Sequence, residues 1–411
     1  MPAYRHSRSH IGRPRLTSVA GFTIKALVDC HAGPLRPESN FRGCRNLNVP
    51  IDSSVPAASP EAAGRTAQIG FLERLPKWLI CVPLALQWIA LGVRYRGFML
   101  PAVANPNITA GGLLGEGKSE YFAAMGPLGR AATAVNQSFV VTPGDAVLRA
   151  RQCMQSLGLR FPLIAKPDVG WCGFGVRRID DDNALGAYLD AFPLGERVVL
   201  QRYITDPGEA GVFYVREPAQ PQGRLIGLAL REFPQVVGDG VHTMAQLVAM
   251  NPRAQRLTRD GLHDFQFDGR RVPALNEVVR LSTIGSTRVG GLYRDGANLI
   301  TPALTQALDD IAQEMDFHFG RFDLRYANDS ELRAGHFSII EVNGAGSEAI
   351  EAWDPRFSPW AAFEKIFNKQ RLVFAIGAAQ RKRGHRPISP LKLLSLHLRQ
   401  QKLIPRYPPS N

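Results

Sequence analysis

Cysteine is scarce and never paired in this sequence. Its 411 residues include five, Cys30, Cys44, Cys81, Cys153 and Cys172. They are odd in number and show no C-x-x-C spacing, which argues against a disulfide framework or a zinc site and fits a reducing cytoplasm. Long hydrophobic runs are missing as well. The most apolar segment, WLICVPLALQWIALGV from Trp78 to Val93, contains Pro83 and Gln87. It is shorter than the roughly 20 residues of a membrane-spanning helix and predicts a buried or interface-lying helix. Acids are missing from both ends. None precedes Asp29 and none follows Glu364, whereas Arg381, Lys382, Arg383, Arg386, Lys392, Arg399, Lys402 and Arg406 all do. The net charge of +13 suits anionic partners such as nucleotides, nucleic acid or an acidic membrane. Much of it comes from the tail and says little about the core.

What is present is enough apolar residue, 45% of the chain, for a sizeable core and two or three units. Residues 1–66 are rich in Arg, Ser, Pro and Gly and predict a disordered or overextended N-terminus. Residues 67–155 read as a compact helical region. KSEYFAAMGPLGRAATAV and TPGDAVLRARQCMQSLGL have helical spacing, with Thr142 and Pro143 as a helix start. From Phe161, short apolar runs between glycine turns predict strands at PLIAKP, RVVLQRYI, GVFYVRE, GRLIGLALREF, GRFDLRY and FSIIEVN. Helices are expected at Asp181–Ala191, Thr243–Met250 and Thr301–Phe317. This irregular alternation predicts an α+β fold, with a catalytic domain over 156–365. Residues 366–411 read as a basic tail in which Leu391–Ile404 forms a solvated or membrane-surface helix.

Three pieces carry chemistry. In IAKPDVGWCGFGV, Lys166 ends a strand and is fixed by Pro167; Gly170, Gly173 and Gly175 then form a loop able to aim N–H groups at a polyphosphate. The order differs from a Walker loop, where glycines precede the lysine. In VVLQRYI, Gln201 to Ile204 offer backbone groups to a purine edge, and Glu209 could accept from ribose hydroxyls. In GRFDLRY and IIEVNG, period-two alternation puts Arg321 and Asp323 on one face of their strand and Glu341 and Asn343 on one face of theirs. Adjacent strands would join Asp323, Glu341 and Asn343 into an oxygen set suited to Mg2+, with Arg321 beside it to stabilise developing charge. Each piece alone also reads as an ordinary turn, a plain strand with a loop, or a polar-ended core strand.

Taken in order, Lys166, the glycine loop, the Gln201 hinge, Asp323, Glu341 and Asn343 resemble the ATP-grasp superfamily, in particular D-alanine–D-alanine ligases and other carboxylate–amine ligases. The resemblance runs from about Lys118 to Asp354. It implies two α+β subdomains enclosing ATP, with Lys166 on the phosphates and the 170–176 loop, through Val176, over them. Gln201, Arg202, Tyr203 and Ile204 would frame adenine and Glu209 would hold ribose. Asp323, Glu341 and Asn343 would bind Mg2+, with Mn2+ as the alternative, and Arg321 would act in catalysis. Lys118 would be an earlier phosphate lysine and Arg231 a third basic contact. VVGDGVHTMAQL resembles a segment of amino-acid ligases, with Thr243 capping its helix. The sequence departs from the pattern twice. Gln201 stands where glutamate is common, and 67–155 lack a glycine-rich, strand-first substrate domain.

Other residues bear on function less directly. Cys172 has no histidine partner in its motif and reads as a small loop residue, and His242 reads as a turn histidine. Arg280, Arg288 and Arg294 read either as holding a substrate carboxylate or as part of a solvated loop, and Glu348 and Asp354 as candidates to contact an amine substrate. The resemblance implies ATP- and Mg2+-dependent ligation of a small carboxylate to an amine, amino acid or peptide among them, with no specific nucleic acid. Two alternatives stand beside it: a non-catalytic nucleotide-binding module, and attachment to an anionic surface through the basic tail.

Overall fold

Alternating β-branched and aromatic residues build two antiparallel sheets. The computed structural model describes residues 68–259 and 267–411, so the expected disorder of residues 1–66 lies outside the described residues. In chain order the strands are β1 (Asn136–Val140), β2 (Leu163–Pro167), β3 (Arg177–Ile179), β4 (Arg197–Arg202), β5 (Gly208–Val215) and β6 (Arg224–Glu232). They continue with β7 (Gln235–Val237), β8 (Val278–Arg280), β9 (Leu292–Asp295), β10 (Phe319–Tyr326) and β11 (Ser338–Asn343). One sheet has the order β1-β4-β2-β3 and the other β11-β10-β5-β6-β9, while β7 and β8 pair by themselves. The α+β expectation agrees with this architecture.

The smaller sheet packs Leu163, Ala165, Val198 and Leu200 against the helices Ala146–Leu157 and Asp182–Asp190. In the larger sheet, Val212, Tyr214, Phe322, Leu324 and Val342 pack on Leu304, Leu308 and Ile311 of the helix Pro302–Glu314. Its other face is divided. Phe213, Val215 and Phe319 at one end lie under Trp88 and Leu91 of the helix Lys77–Arg94 and Val373, Phe374 and Ile376 of the helix Pro359–Lys382. On the same faces of β5 and β10, Glu209, Arg321, Asp323 and Arg325 continue as charge. The open end of this face is where the site forms.

Two boundaries differ from expectation. The helical region does not run to residue 155, because β1 pairs with β4 from Asn136↔Gln201 to Val140↔Arg197. This strand escapes the sequence pattern because only Phe139 of NQSFV is buried. The helix beside it starts at Ala146 behind Asp145, not at Thr142. Likewise 366–411 is no solvated tail. Position 366 falls inside the helix Pro359–Lys382, and the helix Pro390–Leu403 buries Leu393, His397, Gln400 and Leu403. Among the described residues no helix is long and apolar enough to cross a membrane.

A buried ion group joins the start of the described chain to the segment after β7. Glu73, 1% exposed at its side chain, pairs with Arg253 and, at 2.7 Å, with Arg256. Arg253 also donates to the carbonyl of Gly291 at 2.7 Å. Glu73→Gln leaves a buried guanidinium without its carboxylate, so the expected loss of stability is about 3 kcal/mol. Denaturant titration checks this: the midpoint should fall while the slope stays unchanged.

Candidate active site

Lys166 leaves β2 for the interior between the sheets. Its Nζ donates to Gln201 Oε1 and to the carbonyl of Ile340, both at 2.8 Å. That carbonyl is free because β11 bulges: Asp323 pairs with Glu341 but Leu324 with Ile339, leaving Ile340 out of register. Gln201 Nε2 reaches the same carbonyl at 3.2 Å. Burial pushes the Lys166 ammonium down to about 8, with the charge of Glu341 acting against the shift. Lys118 opens the helix Lys118–Ala124, and its N–H donates to the carbonyl of Asp168 at 3.1 Å. The Asp168 carboxylate accepts from Ser119 N–H at 2.7 Å and Ser119 Oγ at 2.8 Å. The loop after β2 is thereby fixed to that helix, and Lys118 Nζ sits 3.2 Å from Glu341 Oε1.

Opposite these lysines, Asp323 is 1% exposed at its side chain. It accepts from Arg321 Nε at 2.7 Å and Nη2 at 3.2 Å, from Arg231 Nη2 at 2.8 Å and from Asn343 Nδ2 at 3.2 Å. Burial alone would favour its neutral form, but the two guanidiniums hold its carboxyl below the usual range. For Glu341 burial again opposes ionisation, and Lys118 and Lys166 outweigh it. Arg321 also donates through Nη1 to the carbonyl of Glu348 at 3.2 Å. Four cations, Lys118, Lys166, Arg231 and Arg321, thus surround Asp323 and Glu341, with Arg231 shared with Glu209, and this end of the cavity suits a polyphosphate. Glu341 and the Asn343 carboxamide offer hard oxygens of the kind Mg2+ takes beside phosphate, whereas Asp323, its roughly four acceptor positions filled by Arg321, Arg231 and Asn343, would have to release one of them to join the set. The set holds only two acids, and no cluster of three or more His, Cys, Asp or Glu suited to a metal occurs among the described residues.

The remaining expected residues border a cavity of about 290 Å3 between the sheets, including Gly170, Gly173, Val176, Arg202, Tyr203 and Ile204. Gly175 does not line it. A Cβ there would stand 2.7 Å from Pro167 and 2.9 Å from Tyr407 at a φ of +72°, so this glycine lets the loop pass its neighbours. Glu209 lines the cavity, with one oxygen on Arg231 and the other on Arg325, each at 3.1 Å. Arg288 is neither solvated nor open to substrate: it donates to the Cys172 carbonyl at 3.0 Å and lies over Phe174 at 4.1 Å. Arg280 stacks on Phe233, Arg294 pairs with Glu232, Asp354 pairs with Arg356, and His242 pairs with Asp239. None of these four borders the cavity, whereas Glu348 does.

The C-terminal segment is a participant that sequence reasoning placed in solvent. Gln400 Nε2 donates to the Gly170 carbonyl at 3.1 Å, Tyr407 Oη to Val169 at 2.7 Å and Ser410 Oγ to Gly173 at 2.9 Å. This strap ties down the glycine loop and adds His397 and Gln400 to the cavity wall. Glu116 was missed as well. Burial pushes its carboxyl up to about 7, and its Oε2 has no partner.

No family model matches the sequence and no curated protein does. Structure comparison finds the D-alanine–D-alanine ligase from Bacillus anthracis at 14% identity and TM-score 0.38, covering 67% of this chain and 71% of that one. A D-Ala:D-Ser ligase from Enterococcus faecalis gives 14% and 0.36, covering 66% and 64%. A bifunctional glutathione synthetase from Pasteurella multocida gives 18% and 0.32, covering 64% of this chain. This chain spans 38% of the length of that synthetase. The likeness is distant, and the functional reading rests on the site's own geometry.

Lys166 provides a test. An ammonium that titrates near 8 when free should be recharged by phosphate. ATP binding at pH 8.5 should therefore take up a proton, and affinity should fall by up to about tenfold per pH unit above the free value. Calorimetry in buffers of different ionisation heat reads the uptake directly. Lys166→Met should abolish it.

Proposed function

We infer that the protein is an ATP- and Mg2+-dependent ligase joining a small carboxylate to an amine, with release of ADP and phosphate. The observation behind this reading is the convergence of Lys118 from the helix Lys118–Ala124 and Lys166, Arg231, Arg321, Asp323, Glu341 and Asn343 from the two sheets on one cavity of about 290 Å3. Lys118 and Lys166 would hold the phosphates beneath the 170–176 loop, and Gln201 to Ile204 would frame adenine. A carboxylate has about four acceptor positions, so Glu209 can serve ribose hydroxyls beside its two arginines. Asp323, Glu341 and Asn343 would hold Mg2+, or Mn2+ in its place, which when bound neutralises charge between phosphate oxygens.

In this reading an oxygen of the substrate carboxylate attacks the terminal phosphorus, the bond to ADP breaks, and an acyl phosphate forms. The amine nitrogen then attacks the acyl carbon. The carbon–oxygen bond to phosphate breaks, phosphate departs, and the amine proton leaves to solvent. Phosphate is the leaving group, so no protein nucleophile is required. Arg321 is locked by Asp323 and the Glu348 carbonyl, and a fixed guanidinium can stabilise the oxyanion without reorganising.

The test combines a substrate screen with two variants. Purified protein with ATP and Mg2+ is screened for ADP release against pools of amino acids, dipeptides and polyamines, with products identified by mass. Glu341→Gln and Asp323→Asn keep side-chain volume but remove charge, so ADP release should fall at least about 100-fold. Ligand in hundredfold excess over its dissociation constant adds roughly 2.7 kcal/mol of stability, and the magnesium-dependent part of that thermal shift should vanish in both variants. Normal turnover in Glu341→Gln would make β11 only a core strand. ATP binding without ADP release in any pool would favour the non-catalytic module.

A further inference from the structure

The helix Lys77–Arg94 buries only one side. Ile80, Leu84, Trp88 and Leu91 enter the cores below it. Trp78, Val82, Leu86, Ile89 and Val93 point the other way, with exposures of 63, 50, 64, 41 and 65%. Their spacing of four, four, three and four residues places all five on one stripe, about 22 Å long at the rise of an α-helix. Single exposed apolar side chains need no explanation, but a continuous row marks an interaction surface.

The charge around the stripe is almost entirely positive. No acid lies between Glu73 and Glu116 or after Glu364, and Glu73 is buried in its ion group. The helix Pro359–Lys382 lies alongside: Gln87 Nε2 donates to the Phe367 carbonyl at 3.1 Å, and Trp88 meets Phe374 edge-on at 4.8 Å. Where both helices end, Arg381 donates to the carbonyls of Arg96 and Tyr95 at 2.8 and 2.7 Å. Arg94, Arg96, Arg381, Lys382 and Arg383 therefore gather at the Val93 end. Ile80 and Ala362 share one core, which puts Trp360, 80% exposed, at the Trp78 end. Glu364 is the one acid on the two helices.

We propose that this face docks on the surface of a bilayer containing anionic lipid. The apolar row would enter the boundary between headgroups and acyl chains, with indoles at one end and arginines on phosphates at the other. A second copy of the chain would bring another acid-poor basic face with little carboxylate to compensate it, whereas phospholipid headgroups supply that negative charge. The helix would lie on the membrane and not cross it.

The full chain is tested by co-sedimentation with vesicles of phosphatidylcholine, with and without about 30% phosphatidylglycerol. Binding is expected to the anionic vesicles, weakening with salt. Leu86→Gln with Val93→Gln should weaken it about tenfold at an unchanged melting temperature. If that pair fails to fold, Leu86→Gln alone gives the reading. Lys382→Glu with Arg383→Glu should weaken it similarly, whereas Arg149→Glu with Arg151→Glu, an equal charge change on the helix Ala146–Leu157, should not. Absence of binding to anionic vesicles overturns the proposal, as does equal loss in both charge pairs. A dimer in sedimentation equilibrium that Leu86→Gln splits would overturn it too, assigning the face to a second copy.

Discussion

Two carboxylates face each other directly across a strand pair, and much of the site answers that repulsion. Asp323 on β10 is the register partner of Glu341 on β11. Like charges so placed destabilise an antiparallel pair, and here Asp323 is buried and Glu341 half-buried. Compensation comes from four elements: Arg321 from β10 itself, Arg231 from β6, Lys166 from β2 in the other sheet, and Lys118 from the short helix before β1. The smaller sheet is thereby coupled to the larger one through charge. Removing any one cation leaves the carboxylates under-compensated, so these residues hold the structure and serve the site at once.

The same strands show how one sheet face serves two purposes. Along β5 and β10 the residues facing the helices are Phe213, Val215 and Phe319, and one repeat further along the same face they become Glu209, Gly211, Arg321 and Asp323. Gly211 belongs to this change. A Cβ there would lie 2.9 Å from Arg321 Cδ, so the bare backbone makes room for the guanidinium that clamps Asp323. The apolar end anchors the sheet, and the charged end borrows that rigidity without covering itself.

What could be read from sequence follows from how local each feature is. Strand alternation alone put Glu341 and Asn343 on one face, and the structure brings them beside Asp323. The six strand candidates, rich in Val, Ile, Leu and Phe, all form strands. β1, β3, β7, β8 and β9 went unread because strands of five residues or fewer show too little alternation, and the edge strands β1 and β3 add polar residues and little burial. Lys118 was reachable only through resemblance, since nothing within its own turn marks a lysine that meets Glu341 across the fold. The strap escaped because the buried face of the helix Pro390–Leu403 includes His397 and Gln400, which a hydrophobic pattern counts as exposed. Arg288 was misread for the same reason: its partners are a carbonyl and an aromatic face brought together only by tertiary structure.

The strap also governs when the site can come into being. Gln400 meets Gly170 across 230 positions, and Ser410 meets Gly173 across 237. The strand ladders of each sheet join nearer segments, but closing so long a loop carries an entropic cost that local contacts do not repay. The glycine loop is then among the last parts to be fastened, after the sheets that flank it exist. On a growing chain it stays unclasped until almost the whole described polypeptide has emerged.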